Sequence, residues 1–280
     1  MALQSNPKGS RMKSRSIWRP IVLSLFLIFM IVPLLATLIF SISIRWDRTL
    51  WPEGFTLNWW RAVISNPNFI LTLKNSFLVS IATMVCLLVL VTPTTYWMRL
   101  RVPKGKPIVE LITSFSFGVP GVILALALIR FYAQIPLPII NRPAILVAAC
   151  MVLSLPFMYR PIVNAMDAID FRVLTEAAQS MGANVWVILS RVIIPNIMPG
   201  IVSGCLLVFS TVFAEFTLTN LLVGTRFKTF PIFLVEFTRQ DGRQASALAV
   251  ISFVVAWAAS LIIIWVTSKG GKETTTIIGH

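Results

Sequence analysis

Chemically reactive side chains are scarce in this 280-residue chain, which has one histidine, three cysteines and ten acidic residues. The histidine, His280, is the last residue, and the cysteines are scattered through apolar runs without disulfide or metal spacing. The motifs GxxxxGKS/T, HExxH and CxxC do not occur, so a phosphate loop, a zinc-protease helix and a redox pair are excluded. We therefore expect a protein that is not an enzyme and that binds no metal and no cofactor in this chain.

Charged residues are also rare. They make up 12% of the sequence, against about 25% in soluble domains, whereas 57% is hydrophobic and the mean hydropathy is +0.85. A helix needs about 20 apolar residues to cross a bilayer. The sequence thus predicts an all-α, polytopic membrane helical bundle with six spans, at residues 20–44, 69–98, 108–130, 143–163, 196–222 and 245–267. The membrane domain would cover 17–268, between an N-terminal tail at 1–16 and a C-terminal tail at 269–280.

Basic side chains are densest in the N-terminal tail and in the link 99–107. Because basic residues accumulate on the cytoplasmic side of a membrane, we expect a multi-pass inner-membrane protein with both termini in the cytoplasm. The formal net charge of +14 could instead indicate nucleic-acid binding. The topology accounts for it, so the expected contact is membrane lipid and no nucleic acid.

Proline and glycine interrupt the predicted spans. Such residues are tolerated where neighbouring helices or a cavity satisfy the freed carbonyl groups, so we expect kinked helices, most strongly at GVPGV, residues 118–122. The others within spans are Pro33, Pro93, Pro156 and Gly204.

About 32 residues, 164–195, separate the fourth and fifth spans. Structureless links beyond about 12–15 residues are uncommon, so this segment should fold, and its pattern predicts two short helices. Gly182 suits the C-terminus of the first helix, and Asn184 suits the N-terminal cap of the second helix. Pro195 limits the length of the second helix, and Pro199 with Gly200 marks the entry to span five. The first helix has an apolar stripe at Ile169, Val173, Ala177 and Met181, and the second a buried face at Val185, Ile188, Leu189 and Val192.

This segment resembles the EAA loop of binding-protein-dependent ABC importer permeases. Glu176-Ala177-Ala178, Gly182 and the ending 192–195 match the family's spacing and its place before the penultimate span, with Val192 and Ile194 as conservative departures from I-x-L-P. The resemblance runs from about 17 to 268. Softer matches are similar to permeases of the spermidine/putrescine and 2-aminoethylphosphonate group: RWDRTLWPEGFTLNWW, GVPGVILALAL, FAEFTLTN and DGRQASALAV.

The resemblance implies a type I importer with a cytoplasmic helix-turn-helix that couples it to ATP hydrolysis. Its partners would be a second permease subunit, expected to be a distinct homologue, two ATPase subunits that bind ATP and Mg, and an extracytoplasmic solute-binding protein. The EAA loop would dock on an ATPase subunit. The implied coupling residues are Glu176, Ala177, Ala178, Gly182 and Pro195, unless they only cap and pack the permease's own helices.

Polar side chains within spans are candidates for the translocation path, because a charge at the centre of a bilayer helix costs about 2.5–3.5 kcal/mol on insertion scales. We predict that Glu215, Thr219, Asn220, Asn75 and Ser76 line this path. The alternative for Glu215 is an internal hydrogen bond or ion pair.

The substrate is less determined. A polyamine would favour carboxylates along the path, and a phosphonate or an anion would favour cations at its mouth, but the chain offers both. It has Glu215 and the outer-edge basic residues Lys74, Arg130, Arg142, Arg226 and Lys228.

The expected function is an importer permease for a small polar solute, a polyamine or 2-aminoethylphosphonate, with ferric iron or another small anion as the alternative. An ion-coupled secondary transporter or channel would call for paired ionisable residues or an inverted repeat near the midplane, and the sequence shows neither.

Overall fold

The computed structural model describes residues 18–47, 49–134 and 143–276, with the side chains of Arg19 and 266–276 excepted. The predicted N-terminal tail, Arg142 and His280 lie outside the described residues. Two 3-10 turns, Pro103–Gly105 and Gly224–Phe227, and a π-helical turn, Ile188–Ile193, connect α-helices. The α-helices are α1 (Trp18–Ile42), α2 (Asn58–Ile64), α3 (Pro67–Arg101), α4 (Lys106–Gly118), α5 (Gly121–Ala133), α6 (Pro143–Asp167), α7 (Phe171–Ser180), α8 (Val185–Val187), α9 (Ile194–Asn196), α10 (Met198–Phe213), α11 (Thr217–Leu222), α12 (Phe230–Thr238) and α13 (Gly242–Thr276).

The predicted membrane bundle is confirmed. Within the described ranges, α1, α3, α6 and the first part of α13 are each long and apolar enough to cross a membrane, and two bent helix pairs bring the number of candidate spans to six. Nearly all of α1 is exposed along its apolar length, as expected of a helix that packs on α13 and α2 and otherwise faces lipid.

Span three is broken, not merely kinked. Between α4 and α5 the chain turns by 98° at Val119 and Pro120, whose backbones are extended. Proline pushes the preceding residue out of the helical region and has no N–H to donate, so the helix ends at Gly118. The strongest predicted kink is therefore the site of a helix break, whereas Pro33, Pro93 and Pro156 lie inside continuous helices.

Span five differs from the expected continuous helix over 196–222. It consists of α10, which ends at Phe213, and the short α11, with Ala214, Glu215 and Phe216 between them. At its other end, α10 meets the preceding helix, Val185–Asn196, at a bend of 78°. Glu215, which the sequence placed inside a continuous helix, thus lies at a helix break.

The core is centred on the contact of α10 with α6. A Cβ atom added at Gly200 would lie 2.5 Å from the backbone oxygen of Pro161 and 2.5 Å from Cβ of Ala165. At Gly204, one turn later, an added Cβ would lie 2.8 Å from Sδ of Met158. The two glycines let the helix backbones approach closely, as small residues do in membrane helix pairs.

The segment between α11 and α13 contains α12, in which Phe230, Ile232 and Phe233 are buried. It is held against α3 by two hydrogen bonds: the amide of Asn75 donates to the Lys228 carbonyl (2.8 Å), and the Phe230 N–H donates to Oγ of Ser76 (2.8 Å).

Candidate functional site

The segment after α6 folds as two helices joined at Gly182, and we call residues 171–196 the elbow. Asp170 caps α7 by accepting from the Val173 N–H (3.3 Å), and Asn184 caps the second helix by accepting from the Val187 N–H (2.9 Å). Gly182 has a φ of +82°, which an L side chain rarely adopts. The predicted helix-turn-helix with Gly182 at the turn and Asn184 at the cap is confirmed.

The turn closes through two backbone hydrogen bonds. The N–H of Ala183 donates to the Ala178 carbonyl (3.0 Å) and that of Gly182 donates to the Gln179 carbonyl (2.9 Å). This is the Schellman arrangement, which satisfies the last carbonyls of a helix and fixes the exit direction of the chain. The second helix is therefore held at a defined angle to the first.

We expect Gly182→Ala to destabilise the elbow by about 1 kcal/mol, because an L residue must then adopt the left-handed backbone conformation. No steric clash adds to this loss, since an added Cβ meets nothing within 4 Å. Gly182→Asn should lose less, since asparagine tolerates this conformation. Amide hydrogen exchange over 176–190 is the measurement. Equal protection in wild type, Gly182→Ala and Gly182→Asn would contradict the assignment of the turn.

The predicted apolar stripe of the first helix is not its packed face. Val173 is 57% exposed and Met181 80% exposed, and Ala177 is also exposed. The packed face is instead Phe171, Leu174, Thr175 and Ala178, at i, i+3, i+4 and i+7. The physical reason is a tertiary hydrogen bond, since Thr175 is buried against Tyr96 of α3, with 3.0 Å between the two hydroxyl oxygens.

The second helix departs from its predicted face for a different reason. Ile188 and Leu189 are buried as expected, but the next buried position is Ile193 instead of Val192, and Val185 is 46% exposed. Residues 188–193 form a π-helical turn, in which hydrogen bonds span five residues. The extra residue moves the buried face by one position. The helix also continues one residue past Pro195, to Asn196.

The five predicted coupling residues separate into two groups. Glu176, Ala177 and Gly182 are exposed, whereas Ala178 is 3% exposed within the core and Pro195 is partly buried. The sequence did not indicate Trp186, which is 74% exposed on the second helix. We call the exposed apolar residues of the elbow the elbow surface: Val173, Ala177, Met181, Val185 and Trp186.

A buried arginine of α3 contacts both the elbow and the end of α6. Arg99, 6% exposed, places Nη2 2.6 Å from Oδ1 of Asp167 at the end of α6, and its guanidinium lies 5.9 Å from the ring centre of Phe171. With the Tyr96–Thr175 hydrogen bond, this contact fastens α7 to the end of α3. In the sequence, Arg99 is only one of several basic residues in the link 99–107, because its burial depends on helices distant in sequence.

A partly open cavity of about 220 Å³ lies where the break in span three and the end of α10 meet α6. It is lined by one carboxyl group, three hydroxyls and apolar walls: Glu215, Ser116, Ser154, Thr211, Phe117, Val119, Cys150, Leu153, Phe157, Val212 and Leu218. Oε1 of Glu215 accepts from the Leu218 N–H at 2.8 Å, which caps α11.

Of the five predicted path residues, the structure brings Glu215 to this cavity. Thr219 is buried on α11, where its hydroxyl donates to the Glu215 carbonyl (3.0 Å), and Asn220 is exposed. Asn75 and Ser76 hold α12 instead. The hydroxyls at the cavity were not predicted because Ser116, Ser154 and Thr211 are single polar residues in apolar runs, and their convergence depends on the helix break.

Comparison with known proteins agrees with this architecture. The family model described as binding-protein-dependent transport system inner membrane component matches residues 92–268, more than half of the chain. The spermidine/putrescine transport system permease protein PotB of Haemophilus influenzae is 29% identical over 230 residues, covering 76% of this chain and 79% of that protein. PotC of Escherichia coli is 22% identical over 241 residues, covering 84% and 89%.

Solved structures share the fold. A chain of a bacterial ABC transporter involved in the import of the acidic polysaccharide alginate superposes with a TM-score of 0.66 at 15% identity, covering 89% of this chain and 92% of that chain. A chain of the MetNI methionine ABC transporter, in inward-facing conformations, gives a TM-score of 0.56 at 18% identity, covering 75% and 99%. With the match of the family model, these findings establish that the chain belongs to the binding-protein-dependent transport system inner membrane components, the permease subunits of ABC importers.

Proposed function

We propose that this permease imports a polyamine into the cytoplasm and takes up the work of ATP hydrolysis through its elbow. The elbow surface is the observation that supports the coupling role. It is an apolar surface on a capped, rigid turn, and exposed apolar patches of this kind mark interaction sites. Glu176, Ala177 and Gly182 lie on the exposed side and would meet an ATPase subunit, whereas Ala178 holds the elbow to the permease core.

The junction at Arg99 supports the same role. A force on the elbow would reach α3 through the Tyr96–Thr175 hydrogen bond and the contact of Phe171 with Arg99. The Arg99–Asp167 ion pair would then pass it from α3 to α6. Because packed helices shift between discrete arrangements instead of deforming continuously, movement of the elbow would displace these helices as rigid bodies. The elbow and both termini would then lie on the cytoplasmic side.

The proposed assembly contains this chain, a distinct second permease, two ATPase subunits that bind ATP and Mg, and a solute-binding protein outside. The chain is similar both to PotB and to PotC, two different proteins in Escherichia coli, which supports a pair of unlike permeases. Their names also support a polyamine as the substrate, with 2-aminoethylphosphonate, ferric iron or a small anion as the alternatives. Calorimetry of the cognate binding protein against putrescine, spermidine, 2-aminoethylphosphonate and ferric iron would decide among them.

The coupling role is tested by Ala177→Trp. We expect the variant to insert normally, because Ala177 is exposed, but to lose most copurification with the ATPase subunit and to reduce ATP-driven uptake in proteoliposomes more than tenfold. A bulky side chain at a close contact separates the two surfaces.

The matched control is Ala62→Trp, at an exposed alanine of α2, which should copurify with the ATPase subunit like the wild type. Full copurification and uptake by Ala177→Trp would contradict the coupling role. Uptake by this chain alone, driven by an ion gradient, would contradict the importer assembly and favour a secondary transporter.

A further inference from the structure

We propose that the cavity at Glu215 binds a primary ammonium group of the substrate during translocation. The inference rests on the proposed import of a polyamine and assigns it a binding site within this chain, at the break between α4 and α5.

The polar groups of the cavity are suited to a cation that donates hydrogen bonds. Glu215 supplies a carboxyl group, and Ser116, Ser154 and Thr211 supply hydroxyl oxygens. None of the residues that line the cavity is lysine or arginine, so no cationic side chain in its wall neutralises the carboxylate. An ammonium group donates up to three hydrogen bonds, which this set of oxygens can accept.

One carboxylate oxygen of Glu215 accepts a hydrogen bond within the protein and the other does not. Oε1 accepts from the Leu218 N–H, whereas Oε2 has no hydrogen bond or ion pair to any residue that the structure describes. The short helix α11 thus orients the carboxyl group and leaves one oxygen for a ligand. A carboxylate kept only as a cap would need no cavity beside it.

The helix break adds a second negative contribution. Because α4 ends at Gly118, the last four carbonyl groups of this 13-residue helix have no helical partner, and the C-terminal end carries a partial negative charge. Ser116, Phe117 and Val119 place this end at the wall of the cavity. In membrane transporters, the C-terminal ends of interrupted helices coordinate cations in the same way.

The size of the cavity limits what it can hold. About 220 Å³ is below the roughly 300–1,000 Å³ of cavities that enclose drug-sized ligands. Leu153, Phe157 and Val212 form apolar walls that suit methylene groups. The cavity would therefore take one amine end of a linear polyamine with its first methylenes, while the remainder of the molecule extends along the path.

The test compares Glu215→Gln with the wild type in the assembled importer, with the second permease and both ATPase subunits present. Glutamine retains an oxygen that can accept from the Leu218 N–H, so the α11 cap persists while the charge is removed. We expect binding of labelled spermidine and putrescine to the detergent-purified complex, without binding protein, to weaken about tenfold or more, as for loss of a hydrogen bond to a charged group. Uptake in proteoliposomes should fall with it. For the wild type, 1,4-butanediol, the uncharged analogue of putrescine, should not compete.

Glu53→Gln is the matched control, since Glu53 is exposed in the link before α2 and the substitution removes the same charge. It should bind spermidine and putrescine like the wild type. If Glu215→Gln fails to assemble, Ser154→Ala removes one hydroxyl from the cavity and should weaken binding about threefold.

Two results would overturn the site. Equal polyamine binding by wild type, Glu215→Gln and Ser154→Ala, in an importer that transports polyamines, would contradict this site alone. A wild-type importer that neither binds nor transports spermidine or putrescine would contradict the proposed substrate, and this site with it.

Discussion

Gly200→Ala is expected to destabilise the protein by about 3 kcal/mol, despite the better helix propensity of alanine. The new Cβ would lie 2.5 Å from a backbone oxygen of α6 and 2.5 Å from a second Cβ, so α10 and α6 must move apart. Overpacking costs about 1–3 kcal/mol and sometimes more, and a backbone atom cannot rotate away. The free energy of unfolding in mixed detergent micelles measures the effect.

Two other glycines provide controls. Gly118→Ala adds a Cβ with nothing within 4 Å and should change the stability little. Gly204→Ala meets the sulfur of Met158 at 2.8 Å, in a flexible side chain that can adjust, so the loss of stability should lie between those of Gly118→Ala and Gly200→Ala. Equal stability of Gly200→Ala and Gly118→Ala would show that the helices are not packed as closely as described.

Asp167→Ala is expected to cost more than Arg99→Met, although both substitutions break one ion pair. The Arg99 side chain is 7% exposed and that of Asp167 is 52% exposed. Without Asp167, a buried guanidinium loses its anion, and one of its nitrogens, Nη1, already has no hydrogen-bond partner. An unpaired buried charge is strongly unfavourable. Because Asp167 is half exposed, solvent screens part of its attraction to Arg99. We therefore expect Asp167→Ala to lower the free energy of unfolding by about 2–3 kcal/mol.

Arg99→Met keeps most of the apolar stem and leaves Asp167 hydrated, so its expected cost is below about 1 kcal/mol. The double variant should be more stable than Asp167→Ala alone, because it also removes the unpaired, buried guanidinium of Arg99. Thermal unfolding of the four proteins completes a double-mutant cycle. A larger loss for Arg99→Met than for Asp167→Ala would mean that Arg99 is not buried at this junction.

The sequence predicted the turn of the elbow but not its orientation. Gly182 and Asn184 act on their own backbone within a few residues, and such local signals are readable in a single chain. The face of α7 that packs is chosen by Tyr96, 79 residues away from Thr175. A stripe of Ile169, Val173, Ala177 and Met181 has the correct period, yet period alone does not say which side has a neighbour.

The candidate path shows the same division. A carboxyl group in an apolar run marked Glu215 as a position of interest, because its cost in a membrane calls for a compensating function. The hydroxyls of Ser116, Ser154 and Thr211 became part of one site through the break at Pro120 and the end of α10. The polar pair Asn75 and Ser76 was equally conspicuous in sequence, but the structure uses it to hold α12.

By itself, the sequence determined the membrane bundle, the position in span three where the helix is interrupted, the elbow and the family to which the elbow belongs. These properties follow from runs of hydropathy and from local backbone constraints, which act over a turn or two of helix. Only the tertiary structure decided which elbow residues are exposed, why Gly200 cannot carry a side chain, and how Glu215 comes to face a cavity. These three features depend on the distances between helices far apart in sequence, which are set by close packing in the core.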